Sequence, residues 1–147
     1  LIKELSLIEN EFSILESVQT NIFWNKTKNL EVFSNSNSNL LRIVVPVSET
    51  LNVIQKLKTF DINYFLDWGG SLVWIELEKV NLKILREIKG IAQEHSGYCT
   101  LIKIEDDLKA SADIFTIDPI KYKISEKIKK SFDPKRIFNP GKMYSGI

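Results

Sequence analysis

The sequence is poor in the side chains that carry most metal and nucleophilic chemistry. It has one cysteine, Cys99, and one histidine, His95, among 147 residues. A single cysteine excludes an intrachain disulfide framework and fits a reducing compartment. The chain also contains no Cys-x-x-Cys or His-Glu-x-x-His pair, so zinc and iron–sulfur sites have no support and we expect no metal.

Phosphate-binding loops and long apolar runs are missing as well. None of the 6 glycines falls into a Gly-x-Gly-x-x-Gly or Walker pattern, which argues against a nucleotide-binding fold within this chain. No apolar run approaches the roughly 20 residues that span a bilayer, so we expect no membrane insertion. With 44% hydrophobic residues, the chain can bury a sizeable core, and we interpret residues 1–147 as a single domain.

The start of the chain gives no sign of a targeting segment. It runs directly into a charged amphipathic pattern, unlike a signal peptide. The only methionine is Met143, and an initiator methionine is normally kept before a residue as bulky as Leu1. We therefore interpret the chain as the C-terminal piece of a longer polypeptide.

Hydrophobic periodicity predicts an α+β fold. Apolar residues spaced by three and four, from Leu5 through Ile8, Phe12 and Leu15, predict one amphipathic helix over the first twenty residues. After a polar run at residues 35–39, the patterns predict in order a strand, a helix, two strands joined by a Trp-Gly-Gly turn, a helix and a strand, at residues 40–47, 48–57, 62–66, 72–77, 82–95 and 98–104. This order is the ferredoxin-like βαββαβ arrangement, in which both helices cover one face of an antiparallel sheet.

The end of the chain predicts one more helix and a shaped tail. Asp118-Pro119 supplies an N-cap and a first-turn proline, and Ile120, Ile124 and Ile128 follow on one face. Pro134 requires the helix to end by residues 131–132. We thus divide the chain into an N-terminal helix and connection (1–34), a ferredoxin-like core (40–104), and a C-terminal helix with an extended Asn-Pro-Gly tail (105–147).

The tail carries a family resemblance. Residues 132–144 read Phe-Asp-Pro-x-x-Ile-Phe-Asn-Pro-Gly-Lys-Met-Tyr, which resembles the C-terminal signature of FAD-linked oxidases of the vanillyl-alcohol-oxidase type. Within that superfamily the chain is most similar to the FAD-binding subunit of bacterial glycolate oxidase. Trp68-Gly69-Gly70 followed by Trp74 resembles a tryptophan-rich hairpin of that subunit, and the arginine-bearing strand at residues 41–46 is similar as well. Tyr98 stands where the family often has histidine, and Lys142 where it often has arginine.

The resemblance implies a bipartite flavoenzyme. An N-terminal domain would bind FAD, a ferredoxin-like cap would cover the isoalloxazine ring, and the tail would return to lie against the flavin domain. The implied chemistry is hydride transfer from a 2-hydroxy acid to FAD, with this chain supplying orientation and electrostatics. The implied partners are the FAD-binding domain and other glycolate-oxidase-type subunits, including an iron–sulfur subunit. The implied location is cytoplasmic, with peripheral membrane association through partner subunits as an alternative.

Three residues are candidates for substrate binding. A lone arginine in an apolar strand, Arg42, is suited to bind a carboxylate bidentately. The alternative is an arginine at a strand edge whose charged head lies in water. Trp68 and Trp74 are candidate pocket walls, with cross-strand or core packing as the alternative. The sequence assigns no catalytic residue.

The tail supplies the candidates for cofactor binding. Asn139, Gly141 and Lys142 form a predicted turn whose donors suit the flavin's pyrimidine carbonyls, and a purely structural turn is the alternative. Residues 121–147 hold eight lysines or arginines against two acids. This basic run is either a solvated helix face or a surface complementary to an acidic partner or to the diphosphate of FAD.

The remaining ionisable residues have simpler interpretations. His95 falls at the polar end of a predicted helix, where a solvated or dipole-favoured cation is expected in preference to a catalytic base. Cys99 falls within a predicted strand and is interpreted as a small buried hydrophobe.

Two other functional classes stay open. The fold alone is compatible with a stand-alone ferredoxin-like module that binds a metabolite or regulates a partner. The βαββαβ order and the basic tail are also compatible with RNA binding. However, the sequence lacks the Gly-Phe-x-Phe-like segment of an RNA-recognition sheet, so we expect no nucleic-acid partner.

Overall fold

The computed structural model of the chain describes residues 13–33, 38–116, 118–142 and 144. They fall into two compact units, divided between Ser34 and Asn35. The predicted apolar positions Leu5, Ile8 and Phe12 lie outside the described residues, and the assignment of the whole chain to one domain stays a prediction.

The first unit contains helix α1 (Ser17–Lys28). The prediction of one helix through residue 20 is wrong at residues 13–16, which are not helical. The reason is a capping interaction: Gln19 Oε1 accepts a hydrogen bond from the backbone N–H of Glu16 at 3.4 Å, and α1 begins at the next residue. No residue of α1 is buried.

The second unit is built on a four-stranded antiparallel sheet. Its strands are β1 (Asn39–Val44), β2 (Asn63–Asp67), β3 (Leu72–Leu77) and β4 (Tyr98–Lys103), in the order β2-β3-β1-β4. Helix α2 (Thr50–Leu57) connects β1 to β2 after a short 3-10 turn (Val47–Glu49), and helix α3 (Leu82–Glu94) connects β3 to β4. The predicted α+β, ferredoxin-like fold is confirmed.

The core lies between the two helices and one face of the sheet. Alternate strand residues such as Leu41 and Ile43 on β1 are fully buried. Helix α2 contributes Val53, Ile54 and Leu57, and α3 contributes a second set at the same helical spacing, namely Leu85, Ile88 and Ala92. Because strand side chains alternate, the intervening residues point to the opposite face, which we call the open face.

The C-terminal part begins with a short helix α4 (Asp106–Lys109). Residues 114–116 then pair with β4: Ile114 O accepts from Leu101 N at 2.8 Å and Cys99 O accepts from Thr116 N at 3.0 Å. Lys89 of α3 donates to the carbonyls of Asp113 and Phe115. The sequence patterns gave no signal for this pairing, because residues 114–116 are too few to show periodicity.

The last helix, α5 (Pro119–Phe132), has the predicted bounds. Asp118 Oδ1 accepts hydrogen bonds from Ile120 N at 2.8 Å and Lys121 N at 3.1 Å, which makes Asp118 the N-cap. Within the described ranges, no helix has the length and apolar character required to cross a membrane.

Candidate functional site

Arg42 lies at the centre of the open face. Its strand, β1, is an interior strand of the sheet, and Arg42 pairs with Trp74 on β3 and with Thr100 on β4. The edge position in the alternative interpretation is therefore wrong. The side chain is half-buried among its cross-strand neighbours.

The guanidinium group of Arg42 contacts an indole. Its Cζ atom lies 4.9 Å from the centroid of the Trp68 ring, within the range of a cation–π interaction. Across the described ranges, Arg42 has no hydrogen bond and no ion pair. Among the described residues, its five N–H donors therefore have no hydrogen-bond partner and are available to an anion.

The three predicted substrate-binding residues are thus brought together. Trp74 lies beside Arg42 on the open face and pairs across strands with Phe65. Trp68 follows β2 directly and is 58% exposed, so it is not a core residue. Strand register places Phe65 and Trp74 beside Arg42, and the Trp68 ring contacts the guanidinium; we call these four residues the aromatic cluster.

Sequence reasoning missed a carboxylate on the same face. Glu76 lies two residues after Trp74 and is only 6% exposed. Ser38 Oγ donates to its Oε1 at 2.6 Å, and Asn63 Nδ2 donates to its Oε2 at 3.2 Å. Both carboxylate oxygens are satisfied, which accounts for the burial of a charged group beside the cluster. The apolar strand pattern at residues 72–77 gives no sign that Glu76 is buried, because its two hydrogen-bond partners lie elsewhere in the sequence.

The tail is shaped by a buried carboxylate after α5. Asp133 Oδ1 accepts from Ile137 N and Oδ2 accepts from Phe138 N, each at 2.9 Å, and Lys129 Nζ lies 2.7 Å from Oδ2. Lys129 also donates to the Phe138 carbonyl. These bonds lower the pKa of Asp133 to about 2, with the Lys129 hydrogen bond as the largest cause and the two backbone amides as further causes.

The candidate cofactor-binding residues form an exposed turn. Asn139 and Gly141 have positive φ values of 45 and 68 degrees, and Lys142 N donates to Asn139 O at 3.3 Å. The predicted turn is confirmed, although its role toward a flavin is untested. The Asn139 side chain has no hydrogen bond among the described residues, so its amide group is free to bind a ligand.

The tail folds back along one side of α5 and leaves another side uncovered. Tyr144 is 8% exposed, with its ring centroid 5.6 Å from that of Tyr122 and 6.1 Å from that of Phe115. In contrast, several large apolar side chains of α5 and the tail are more than half exposed. These residues, which we call the apolar stripe, are Ile120, Ile124, Ile128, Phe132, Ile137 and Phe138.

The two residues with simpler interpretations have different outcomes. Cys99 is fully buried as expected, and burial raises the pKa of its thiol to about 12. Of the two alternatives for His95, only the solvated one is wrong: its side chain is 14% exposed and its Nδ1 lies 2.7 Å from Glu49 Oε2. The hydrogen bond from His95 is the main cause that lowers the pKa of Glu49. Among the described residues, no group of three or more potential ligands could hold a metal.

One comparison with known proteins finds a match to the last part of the chain. The family described as FAD linked oxidases, C-terminal domain, matches residues 115–143, which include α5, Asp133 and the turn from Asn139 to Lys142. No curated protein and no solved structure matches the chain. The match supports a relation to the C-terminal domain of FAD-linked oxidases. It supports FAD use and an FAD-binding partner domain, and it does not extend to Arg42 or the two tryptophans.

Proposed function

We propose that this chain is the C-terminal cap domain of a FAD-dependent 2-hydroxy-acid dehydrogenase or oxidase of the glycolate type. The FAD is held mainly by an N-terminal domain outside this chain, and substrate lies between that domain and the open face. The observation that carries the proposal is the guanidinium of Arg42, which has no acidic partner in the described ranges and lies 4.9 Å from the Trp68 ring. The family match to α5 and the tail supports the flavin.

Arg42 has the chemistry required to hold a 2-hydroxy acid. A guanidinium binds a carboxylate through two parallel hydrogen bonds, which fixes the orientation of the substrate as well as its position. The rings of Phe65, Trp68 and Trp74 lower the local polarity, which strengthens that ion pair when a second domain covers the face. FAD supplies the acceptor for the hydride of the hydroxyl-bearing carbon.

The tail has the groups needed to contact the flavin. The amide of Asn139, which has no hydrogen bond among the described residues, and the backbone of the Gly141 turn are small polar groups of the kind that hydrogen-bond to pyrimidine carbonyls. We propose that Asn139, Gly141 and Lys142 contact the cofactor and that the apolar stripe packs on the FAD-binding domain. An exposed patch of this kind marks an interaction surface. In a multi-subunit enzyme, an iron–sulfur subunit would receive the electrons.

The proposal is tested by comparing two forms of the protein. The 147-residue chain should purify colourless, whereas the reading frame that contains it, expressed with the residues encoded before Leu1, should carry a flavin absorbance spectrum. Bound flavin in the 147-residue chain would contradict the assignment of FAD to another domain. A metabolite that binds tightly to the 147-residue chain, with no flavin in either form, would favour the stand-alone module instead.

The carboxylate role of Arg42 is tested in the flavin-containing form. Arg42→Gln should lower kcat/KM for glycolate or lactate about 30- to 1000-fold, because a charge-assisted pair of hydrogen bonds is lost. Thr100→Val, at the neighbouring open-face position, is the matched control. An Arg42→Gln enzyme with unchanged kcat/KM would remove Arg42 from the site.

A further inference from the structure

Trp68 has a backbone conformation that tryptophan rarely adopts. Its φ value is 52 degrees, followed by 63 degrees at Gly69 and 99 degrees at Gly70. Glycine occupies this left-handed region without a steric cost, whereas a bulky residue there is an outlier. A third glycine would form this turn with less strain, so the tryptophan needs an explanation other than turn formation.

The turn is held by side chains on both sides of it. Asp67 Oδ1 accepts a hydrogen bond from Trp68 N at 2.7 Å, and Ser71 Oγ donates to Trp68 O at 3.0 Å. Thr50, at the start of α2, donates through Oγ1 to Gly70 O at 2.7 Å. These three hydrogen bonds hold the strained conformation in place. Strain that is held in this way is typical of functional sites.

Burial of the indole does not offset the strain. Trp68 is 58% exposed and takes no part in the hydrophobic core. Its recorded ring contact is with Arg42, whose Cζ lies 4.9 Å from the ring centroid. Arg42 has no acidic partner in the described ranges, and an unrestrained arginine side chain has a high rotamer entropy. The indole is therefore the group placed to restrict the guanidinium.

We propose that Trp68 is a positioning residue for Arg42. The strained turn places the indole against the guanidinium, which restricts it while its N–H donors stay available to a planar carboxylate. Binding then costs less conformational entropy than it would for a mobile arginine. This inference rests on the proposed function, because it takes the carboxylate to be that of a 2-hydroxy acid. It adds that Trp68 acts on affinity through Arg42 and not through contact with the substrate.

The experiment uses the 147-residue chain, labelled with ¹⁵N, and three variants at one position. Trp68→Phe keeps a ring, Trp68→Leu keeps the bulk without a ring, and Trp68→Gly removes both the ring and the steric conflict at positive φ. Three quantities are measured: the relaxation of the Arg42 Nε–Hε signal, its shift on titration with glycolate, and the urea midpoint of unfolding. Arg42→Gln identifies the Arg42 signal.

Glycolate affinity should depend on whether residue 68 has an aromatic ring, and stability should depend on whether it tolerates a positive φ. Trp68→Leu and Trp68→Gly should both make Arg42 Nε more mobile and weaken glycolate binding about two- to fivefold, whereas Trp68→Phe stays near the parent chain. Among the ringless variants, Trp68→Gly should have the higher urea midpoint, because only glycine relieves the strain. A residue with a merely structural role would lose affinity and stability together.

The outcomes separate this inference from the proposed function. If Arg42 Nε is as ordered in Trp68→Leu as in the parent chain, and glycolate binds equally well, the positioning role is overturned. If the ring orders Arg42 but glycolate produces no shift in any form, the positioning role is supported, and kcat/KM of Arg42→Gln in the flavin-containing form decides the 2-hydroxy-acid ligand of the proposed function.

Discussion

Nζ of Lys129 lies 2.7 Å from Oδ2 of Asp133, one helical turn further along, and this pair holds the start of the tail. Asp133 receives the amides of Ile137 and Phe138, while Lys129 donates to the carbonyl of Phe138. The Asn-Pro-Gly turn begins at the next residue. A buried ion pair thus sets the direction in which the candidate flavin-contacting residues leave the helix.

Asp133→Asn should release the tail. The substitution removes the charge that pairs with Lys129 and leaves one side-chain oxygen for two amides, so the bonds after the helix weaken. Trypsin should then cleave faster after Lys135 and Arg136, as followed by mass spectrometry at neutral pH. Asp107→Asn, an exposed acid on α4, is the matched control. Equal cleavage of both variants would mean that Asp133 does not hold the tail.

The pairing of Asp133 with Lys129 predicts that the stability of the fold decreases at low pH. The pKa of Asp133 is about 2 in the fold, below the value of about 3.9 for an unperturbed aspartate. Its contribution to stability is therefore fully present above pH 3.9 and is lost as pH falls through 2. The amide signals of Ile137 and Phe138 should titrate with a midpoint near pH 2. A midpoint near 4 would show that the carboxylate is not paired.

The sequence predicted the order of strands and helices along the chain, and α5, because each depends on local signals. Apolar and β-branched runs mark the strands, and Asp118, Pro119 and Pro134 mark the ends of the last helix. It did not predict the burial of Glu76 or the pairing of residues 114–116 with β4, since both depend on partners that are distant in the sequence, such as Ser38 at 2.6 Å from Glu76. Arg42, Trp68 and Trp74 were each candidates, but their contact follows only from the strand register.

Alanine substitution at Gly97, which follows α3, and at Gly90, within α3, should change the free energy of unfolding in opposite directions. A Cβ at Gly97 would lie 2.3 Å from Val45 Cγ1 and 2.4 Å from the Val44 carbonyl, whereas a Cβ at Gly90 in α3 meets nothing within 4 Å. Gly97→Ala should lower the free energy of unfolding by about 2 to 3 kcal/mol because of the steric conflict. Gly90→Ala should raise it by about 0.5 to 1 kcal/mol through helix propensity. Urea denaturation measures both, and equal midpoints would contradict the close approach of Gly97 to β1.

Cys99 should be unreactive in the folded chain. The thiol is fully buried and its pKa is raised to about 12, with burial as the main cause, so almost no thiolate exists at neutral pH. Ellman's reagent at pH 8 should label the folded chain slowly and the guanidinium-unfolded chain at once. Since the chain has one cysteine, the labelling rate also reports opening of the core. Immediate labelling without denaturant would contradict the burial of β4.

A charged residue within the apolar stripe should weaken association with the FAD-binding domain and leave folding almost unchanged. Ile124 is 53% exposed, so Ile124→Glu should change the free energy of unfolding by no more than about 0.5 kcal/mol. If the stripe packs on the FAD-binding domain, the same change buries an unpaired charge and should weaken association of the two separately expressed parts at least about tenfold. Glu126→Gln is the control, because residue 126 lies two positions further along and so projects from the opposite side of α5. Calorimetric titration measures the affinity, and an Ile124→Glu variant that associates as tightly as the control would place the interface elsewhere.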